Sequence, residues 1–322
     1  MQVIEGSDPP RDSARGCVLT VGNFDGLHLG HRALLEAVVA RGRELSRPTA
    51  VYTFDPHPRR VLFPEEAEGL RMLMTWDQLV AGLAEFEIDF LVRERFTPAF
   101  SALSPDEFLR DVIAERLGPR EVFVGRDFHF GKGRAGSGEM LAARGPELGI
   151  RVQLVPQVCA GGADVSSTRI RAALAQGDVE DARTCLGRPY TVRGRVVEGD
   201  RRGRTLGFPT ANLACENELV PAYGVYATRV RLFDPGGATL EPRWFESVTN
   251  VGTRPTFALG RVLVEAHLLD FTGDLYGRRL ELAFHQRIRA ERRFSGPDEL
   301  ARQIAADAAR ARVLLAAETR PA

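Results

Sequence analysis

Ten residues, Gly22-Asn23-Phe24-Asp25-Gly26-Leu27-His28-Leu29-Gly30-His31, lie between two kinds of periodicity. Before them, Cys17–Val21 is an unbroken apolar run of strand character; after them, Leu34, Leu35, Val38 and Leu45 recur at helical spacing. A strand that passes through a glycine-rich turn straight into a helix leaves few folds open to the chain. The first turn of such a helix carries backbone N–H groups without intrahelical partners, and its dipole favours negative charge. His28 and His31 can face one phosphate there, with Gly30 leaving room for a ligand against the backbone. The same pair can also be a helix cap and a core histidine. A zinc centre needs further ligands, and only His57 stands nearby as a candidate.

The texture of the chain extends this beginning. Up to about residue 186, apolar runs at Cys17–Val21, Ala50–Phe54, Phe90–Val92, Glu121–Val124 and Arg151–Val155 alternate with helical patterns at Ala33–Leu45, Thr75–Phe86, Pro105–Leu117 and Ile170–Ala175. Ser104 before Pro105 and Glu107 three residues on form a capping-box signature. Strands alternating with helices predict a parallel sheet covered on both faces, which binds ligands at its strand C-termini. At Gly187-Arg188-Pro189 the pattern changes to short β-type runs with turn signals between them: Tyr190–Val197, Gly224–Phe233, Phe245–Val251, Leu263–Asp270 and Arg279–Phe284. These predict a small antiparallel barrel, followed by a terminal helix over Pro297–Ala317. The expected division is 1–186 and 187–322.

Bulk properties narrow the function classes. The 43 basic residues include a single lysine, Lys132, and are matched by 43 acidic ones, so the arginines do not read as a nucleic-acid surface. The four cysteines show no CxxC spacing and read as reduced thiols. No apolar run reaches the ~18 residues of a membrane span, and Met1–Gly16 has no signal-peptide core. The expectation is a cytoplasmic protein that meets neither membrane nor nucleic acid, with self-association left open.

Three further stretches share the chemistry of the first. Thr53-Phe54-Asp55-Pro56-His57-Pro58 and Gly125-Arg126-Asp127-Phe128-His129-Phe130-Gly131 each end a predicted strand, on the rim that carries His28 and His31. Ser166-Ser167-Thr168-Arg169-Ile170-Arg171 opens a helix with hydroxyls, free N–H groups and two guanidiniums, a second anion site or simply a cap. In the second half, Gly203-Arg204-Thr205-Leu206-Gly207-Phe208-Pro209-Thr210-Ala211-Asn212 places Thr210 and Asn212 two apart in an extended segment. Their side chains then point one way and offer two neutral oxygens to a hard cation such as Mg²⁺; the alternative is a barrel turn with a solvated basic loop. Pro221–Tyr226, Asn250–Phe257 and Val264–Asp270 complete the set.

His-x-Gly-His resembles the motif of nucleotidylyltransferases. The whole series, in this order, resembles the bacterial bifunctional riboflavin kinase/FMN adenylyltransferases over nearly the entire chain. The resemblance implies a Rossmann-like α/β nucleotidylyltransferase domain and a riboflavin-kinase-type barrel. Together these would phosphorylate riboflavin to FMN and adenylylate FMN to FAD, with ATP as co-substrate, Mg²⁺ at each step and no tightly bound prosthetic group. It implies that His28 and His31 stabilise charge around the α-phosphate, and that Ser167, Thr168 and Arg171 hold the β- and γ-phosphates. Gly22, Asn23, Phe24, Gly30 and Asp127 would line the nucleotide, and Asp55, His57 and Phe130 the flavin. In the second domain, Gly203 and Gly207 would flank the nucleotide, Thr210 and Asn212 bind Mg²⁺, and Glu265 take the proton of the riboflavin 5′-hydroxyl. For His57 a rigid turn at a strand end is an equal reading. Gln78 stands near a place where the family often carries a lysine, and residues 134–140 are atypical. The competing functions are an adenylyltransferase for another phosphate acceptor, and a flavin-binding regulator with one idle module.

Overall fold

The computed structural model describes residues 1–6, 14–67, 69–199, 207–233, 243–253 and 262–318. The chain forms two compact units, residues 1–72 with 76–166, and residues 73–75 with 167–322.

In the first unit, β1 (Gln2–Glu5), β2 (Val18–Val21), β3 (Thr49–Asp55), β4 (Phe90–Arg95), β5 (Glu121–Gly125) and β6 (Arg151–Val155) form one sheet in the order β1-β4-β3-β2-β5-β6, and every pairing is parallel. The strands read as continuous apolar runs because helices cover both faces: Leu19, Val51, Leu91 and Val122 are fully buried. Helix α1 (Leu29–Leu45) packs Leu34, Leu35, Val38 and Val39 onto the sheet. Each such side chain contributes about 1.5–3 kcal/mol, as an upper estimate. The predicted helix at Pro105–Leu117 differs in kind. Its capping box forms as expected, with Ser104 and Glu107 bonded reciprocally, but Phe108–Leu117 winds as a π-helix. Phe108, Leu109, Val112, Ile113 and Leu117 are all buried, and their four-to-five-residue spacing suits that wider turn. A shorter helix, α2 (Trp76–Ala84), falls within the predicted Thr75–Phe86.

The second unit begins with α3 (Ser167–Gln176) and α4 (Val179–Leu186). Both helices belong to the same compact unit as the β-rich second half, although they precede the punctuation at Gly187. The strands β7 (Tyr190–Val197), β8 (Ala211–Cys215), β9 (Gly224–Phe233), β10 (Phe245–Thr253), β11 (Val262–Leu268) and β12 (Arg279–Arg289) close into an antiparallel barrel in the order β7-β8-β11-β10-β9-β12. Tyr226, Val264, Leu282 and Phe284 fill its core. The terminal helix α5 (Pro297–Glu318) lays Ala311 and Leu315 on Val225, Ala227 and Val248. Arg289 clamps the buried Asp307 of α5 through both carboxylate oxygens at 3.0–3.1 Å from its Nε. Strand β8 is not among the predicted β-type runs, although the stretch at Thr210–Asn212 reads as an extended segment.

Candidate active sites

In the first unit the strand order reverses at β2: the chain moves outward to β3 and β4, then returns to β5 on the other side. A crevice at the C-terminal ends of parallel strands is where such sheets take ligands. Because β3, β2 and β5 are adjacent and parallel, the loops starting at Gly22, Asp55 and Arg126 leave from one rim.

The β2 loop turns through Gly26 at φ 95° and Leu27 at φ 45°, both left-handed; the first is a conformation glycine adopts without strain. Phe24 and Leu27, 1 % and 2 % exposed, pin the turn to the core. His28 is the N-cap of α1, its Nδ1 accepting the His31 backbone N–H at 3.3 Å. In the neutral ring an accepting Nδ1 assigns the proton to Nε2, which is thereby a donor. The His31 ring stacks on that of His28, centroids 3.6 Å apart and 15° between planes, and Phe24 flanks it at 5.2 Å. The Nδ1 of His31 is buried without a hydrogen-bond partner among the described residues. Burial, reinforced by the neighbouring His28, holds the His31 pKa well below its ordinary value, so the ring is neutral at pH 7. Gly30 makes room for the His28 ring itself: a Cβ there would lie 3.2 Å from its Cε1 and Nδ1. The missing side chain at Gly30 therefore serves the packing of the His28 ring. Gly22 is half-buried and Asn23 exposed on the same turn.

Asp55 ends β3 and accepts Arg93 Nε at 2.9 Å; the Arg93 guanidinium lies over the Trp76 ring, 4.5 Å from its centroid. His57 caps the short helix Pro58–Leu62 by accepting the Arg59 N–H at 3.2 Å, which is the rigid-turn reading of this residue. Asp127 is exposed after β5, and its carbonyl meets His129 Nδ1 at 2.8 Å. Phe130 is buried, its ring between Phe108 and Phe128 and against Gly136; of the two phenylalanines here, the half-buried Phe128 is the more accessible.

In the second unit, Ser167 and Thr168 open α3 and Arg171 follows one turn later, half-buried. Arg169, the other guanidinium of this turn, is committed to Asp181 of α4, with Nε at 3.0 Å. Ile170 and Leu174 bury the inner face of α3.

The barrel wall carries the second constellation. Asn212 on β8 lies directly opposite Glu265 on β11, which in turn lies opposite Asn250 on β10. The flanking pairs Ala211–Ala266 and Leu213–Val264 are buried in the barrel. By strand alternation the three polar side chains therefore share its outer face. Asn212 is 6 % exposed because the backbone of Gly199 lies on its amide; a Cβ at Gly199 would come within 2.2 Å of Nδ2. Thr210 stands just before β8 in the wall of a cavity of about 420 Å³, together with Ala211, Phe271, Asp274, Leu275 and Tyr276. Phe208-Pro209 is fixed by His267, which takes the Pro209 carbonyl at 2.8 Å and meets the Phe208 ring edge-on at 5.5 Å. Gly207 is exposed and left-handed at φ 83°. Gly203, with residues 204–206 and 254–257, lies outside the described residues. Among the described residues no cluster of three or more His, Cys, Asp or Glu can hold a metal ion. Cations at this wall would thus be met by neutral oxygens and the one carboxylate. Sequence reasoning did not single out Asn250 as a site residue, nor the cavity residues Phe271, Asp274 and Tyr276. Asn250 carried no signal of its own, in a strand that also holds Glu246, Ser247 and Thr249; the loop carried one only in its Gly/Asp-rich turn composition.

Residues 11–169 match the FAD synthetase family model, and residues 186–315 match that of riboflavin kinase. The bifunctional riboflavin kinase/FMN adenylyltransferase of Escherichia coli K12 is 41% identical over 297 residues, covering 92% of either chain. That of Pseudomonas fluorescens is 39% identical over 98% of both. A crystal structure described as a macrolide-efflux protein from Streptococcus pneumoniae superposes with a TM-score of 0.86 at 29% identity, covering 96% of this chain and 98% of that one. No helix among the described residues is long and apolar enough to cross a membrane. With a phosphate-type turn at the switch point of a parallel sheet, a polar triad on a closed barrel, and near-full-length similarity on both sides, the chain belongs to the bifunctional riboflavin kinase/FMN adenylyltransferase family, the enzymes that make FMN and then FAD.

Proposed function

We propose that the two activities are divided as the sequence is punctuated, with FMN adenylylation assigned to residues 1–186 and riboflavin phosphorylation to residues 187–322. The observation that carries this is the presence of two separate polar constellations, one on the rim of the parallel sheet and one on the barrel wall.

In adenylylation no covalent nucleophile is required, because the FMN phosphate attacks the α-phosphorus in line and the protein supplies position and charge stabilisation. His28 donates from Nε2 to charge that develops around the α-phosphate, and the neutral His31 ring keeps His28 oriented. Ser167, Thr168 and Arg171 hold the β- and γ-phosphates; Gly22, Asn23, Phe24, Gly30 and Asp127 shape the nucleotide side. Asp55, His57 and Phe130 belong to the flavin side. Phe130 acts there by packing.

In phosphorylation, an alcohol is a poor nucleophile at pH 7, and a placed carboxylate makes it competent. Glu265 takes the proton of the riboflavin 5′-hydroxyl. Its register partner Asn212 and the nearby Thr210 supply neutral oxygen donors that fit Mg²⁺, a hard cation that keeps several waters and shares phosphate oxygens. When bound, the ion neutralises charge on the transferring phosphoryl group. Gly203 and Gly207 flank the nucleotide. The cavity beside Thr210, with Phe271 and Tyr276 in its wall, suits a planar heteroaromatic ring. Mg²⁺ with ATP, cytoplasmic residence, the absence of nucleic-acid and membrane partners, and any self-association belong to the same proposal.

The test is incubation of the purified chain with riboflavin, ATP and Mg²⁺, with flavins separated over time. FMN first and FAD later supports both assignments. FMN alone leaves the first site idle or reserved for another acceptor, and bound riboflavin without product favours a sensor.

A further inference from the structure

Between β11 and β12 the chain makes a loop, residues 269–278, that walls the 420 Å³ cavity with Phe271, Gly273, Asp274, Leu275 and Tyr276. Its two roots are tied by backbone bonds, Leu269 N–H to the Glu246 carbonyl at 2.8 Å and Gly277 N–H to the Val196 carbonyl at 2.9 Å. Inside the loop, Asp274 accepts the Tyr276 N–H at 3.0 Å, and the Phe271 ring meets Phe245 edge-on at 5.3 Å. The residue that sets the direction of the whole excursion is Asp270. It is a non-glycine residue in the left-handed region, φ 55°, immediately before Phe271.

A side chain from outside the loop holds that residue. Arg312 of α5 grips both carboxylate oxygens of Asp270, Nη1 to Oδ2 at 2.8 Å and Nη2 to Oδ1 at 2.9 Å. The contact holds the Asp270 carboxyl below the usual carboxylate range. The platform behind Arg312 is closely packed: its neighbour Ala311 is fully buried against the barrel, as is Leu315 one turn on. Glu246, whose carbonyl ties the first root, adds a favourable charge near the guanidinium. Arg312 and Asp270 are 46 % and 77 % exposed, and exposed pairs contribute little to global stability. A planar fork on a carboxylate nevertheless fixes direction as well as distance. An exposed clamp placed on a left-handed residue that opens a cavity wall therefore orders the wall rather than the fold.

We propose that Arg312 is a positioning residue of the kinase site: through Asp270 it sets the loop that encloses the planar ring of a kinase substrate, either the base of ATP or the ring system of riboflavin. This rests on the reading of the cavity as a substrate subsite. The terminal helix thus takes part in the first reaction without touching a reactant.

The experiment is steady-state phosphorylation of riboflavin by the full chain, varying ATP and riboflavin separately, with adenylylation of supplied FMN as internal control. Arg312→Ala is expected to raise one of the two KM values about two- to five-fold, with kcat and adenylylation unchanged. A rise for ATP assigns the cavity to the base, and a rise for riboflavin assigns it to the flavin. Asp270→Asn should give the same change, and the double variant no more than either single one. Arg312→Lys, which keeps the charge without the fork, should fall between. Added salt should bring the wild-type KM toward that of Arg312→Ala and leave the variant little changed. Phe271→Ala examines the cavity directly. If it alters neither KM, the subsite reading fails; if it alters one while Arg312→Ala does not, the positioning role fails. Additive effects of the two single variants, or a joint loss of kcat, adenylylation and thermal stability in Arg312→Ala, would also overturn it.

Discussion

The Nδ1 of His28 accepts the backbone N–H of His31, and the two imidazoles stack face to face at 3.6 Å. One nitrogen of His28 thus starts helix α1, while the other carries the donor proton of the neutral ring. The two roles separate by substitution. His28→Asn keeps a capping side chain and His28→Ala does not. Both should abolish FAD formation from supplied FMN, whereas only His28→Ala should lower stability, by about 0.5–2 kcal/mol. Flavin chromatography and denaturant melts on the same preparations check this, with riboflavin phosphorylation expected to continue in both.

His31 also makes stability depend on pH. Its folded pKa lies below the ordinary 6.5, so the unfolded chain binds the proton more readily than the folded one. The contribution of this site is present above pH ~6.5 and is lost as pH falls toward the depressed folded value. The melting temperature should therefore decline below pH ~6.5, and His31→Asn should show a shallower decline over that window.

On the barrel wall, Glu265→Gln preserves size and hydrogen bonding but removes the proton acceptor. Phosphorylation should fall roughly 10²–10⁴-fold, with adenylylation of supplied FMN retained. Loss of adenylylation in a folded Glu265→Gln or Asn212→Ala variant would refute the assignment of this wall to the kinase step.

Gly199 is the least conspicuous residue with a large expected effect. A methyl group there would sit 2.2 Å from the Asn212 amide nitrogen, so Gly199→Ala must displace either the backbone or Asn212. Phosphorylation should drop about ten-fold or more without a matching drop in adenylylation, as measured on the two half-reactions.

Away from both sites, Arg116 bonds Tyr52 Oη at 2.7 Å and Glu94 Oε2 at 2.5 Å, in the interior of the first unit. Arg116→Ala leaves the Glu94 carboxylate, 8 % exposed, with its compensating charge removed. A loss of about 3–5 kcal/mol in denaturant unfolding is expected.

The sequence made the motifs legible because their residue types are tied to local geometry. Gly26 takes a left-handed turn, Ser104 and Glu107 cap reciprocally, and the apolar runs from Cys17 to Val155 require a covered sheet. Asn212 and Glu265 were readable one by one, but their alignment with each other and with Asn250 is a matter of strand register and emerges only when the barrel closes. The grouping of α3 and α4 with the barrel was hidden for a related reason. It depends on contacts such as Arg287 Nη1 to the Gln176 carbonyl at 3.2 Å and Ala222 N–H to the Leu174 carbonyl at 2.9 Å, which join residues far apart in the chain. The π-winding after Glu107 was invisible because 3.6- and 4.4-residue periods share their first few positions.

The closed barrel leaves no strand margin in the second unit among the described residues, whereas the sheet of the first unit ends on β1 and β6. Backbone donors and acceptors offered along a margin can recruit a strand from another molecule. Any filament or swapped dimer built by main-chain pairing would therefore begin at the amino-terminal half, where β1 already exposes Val3. On the proposed division of activities, partial unfolding should jeopardise FAD synthesis before FMN synthesis, and an extension fused ahead of Met1 should shift that hazard more than one fused at the other end.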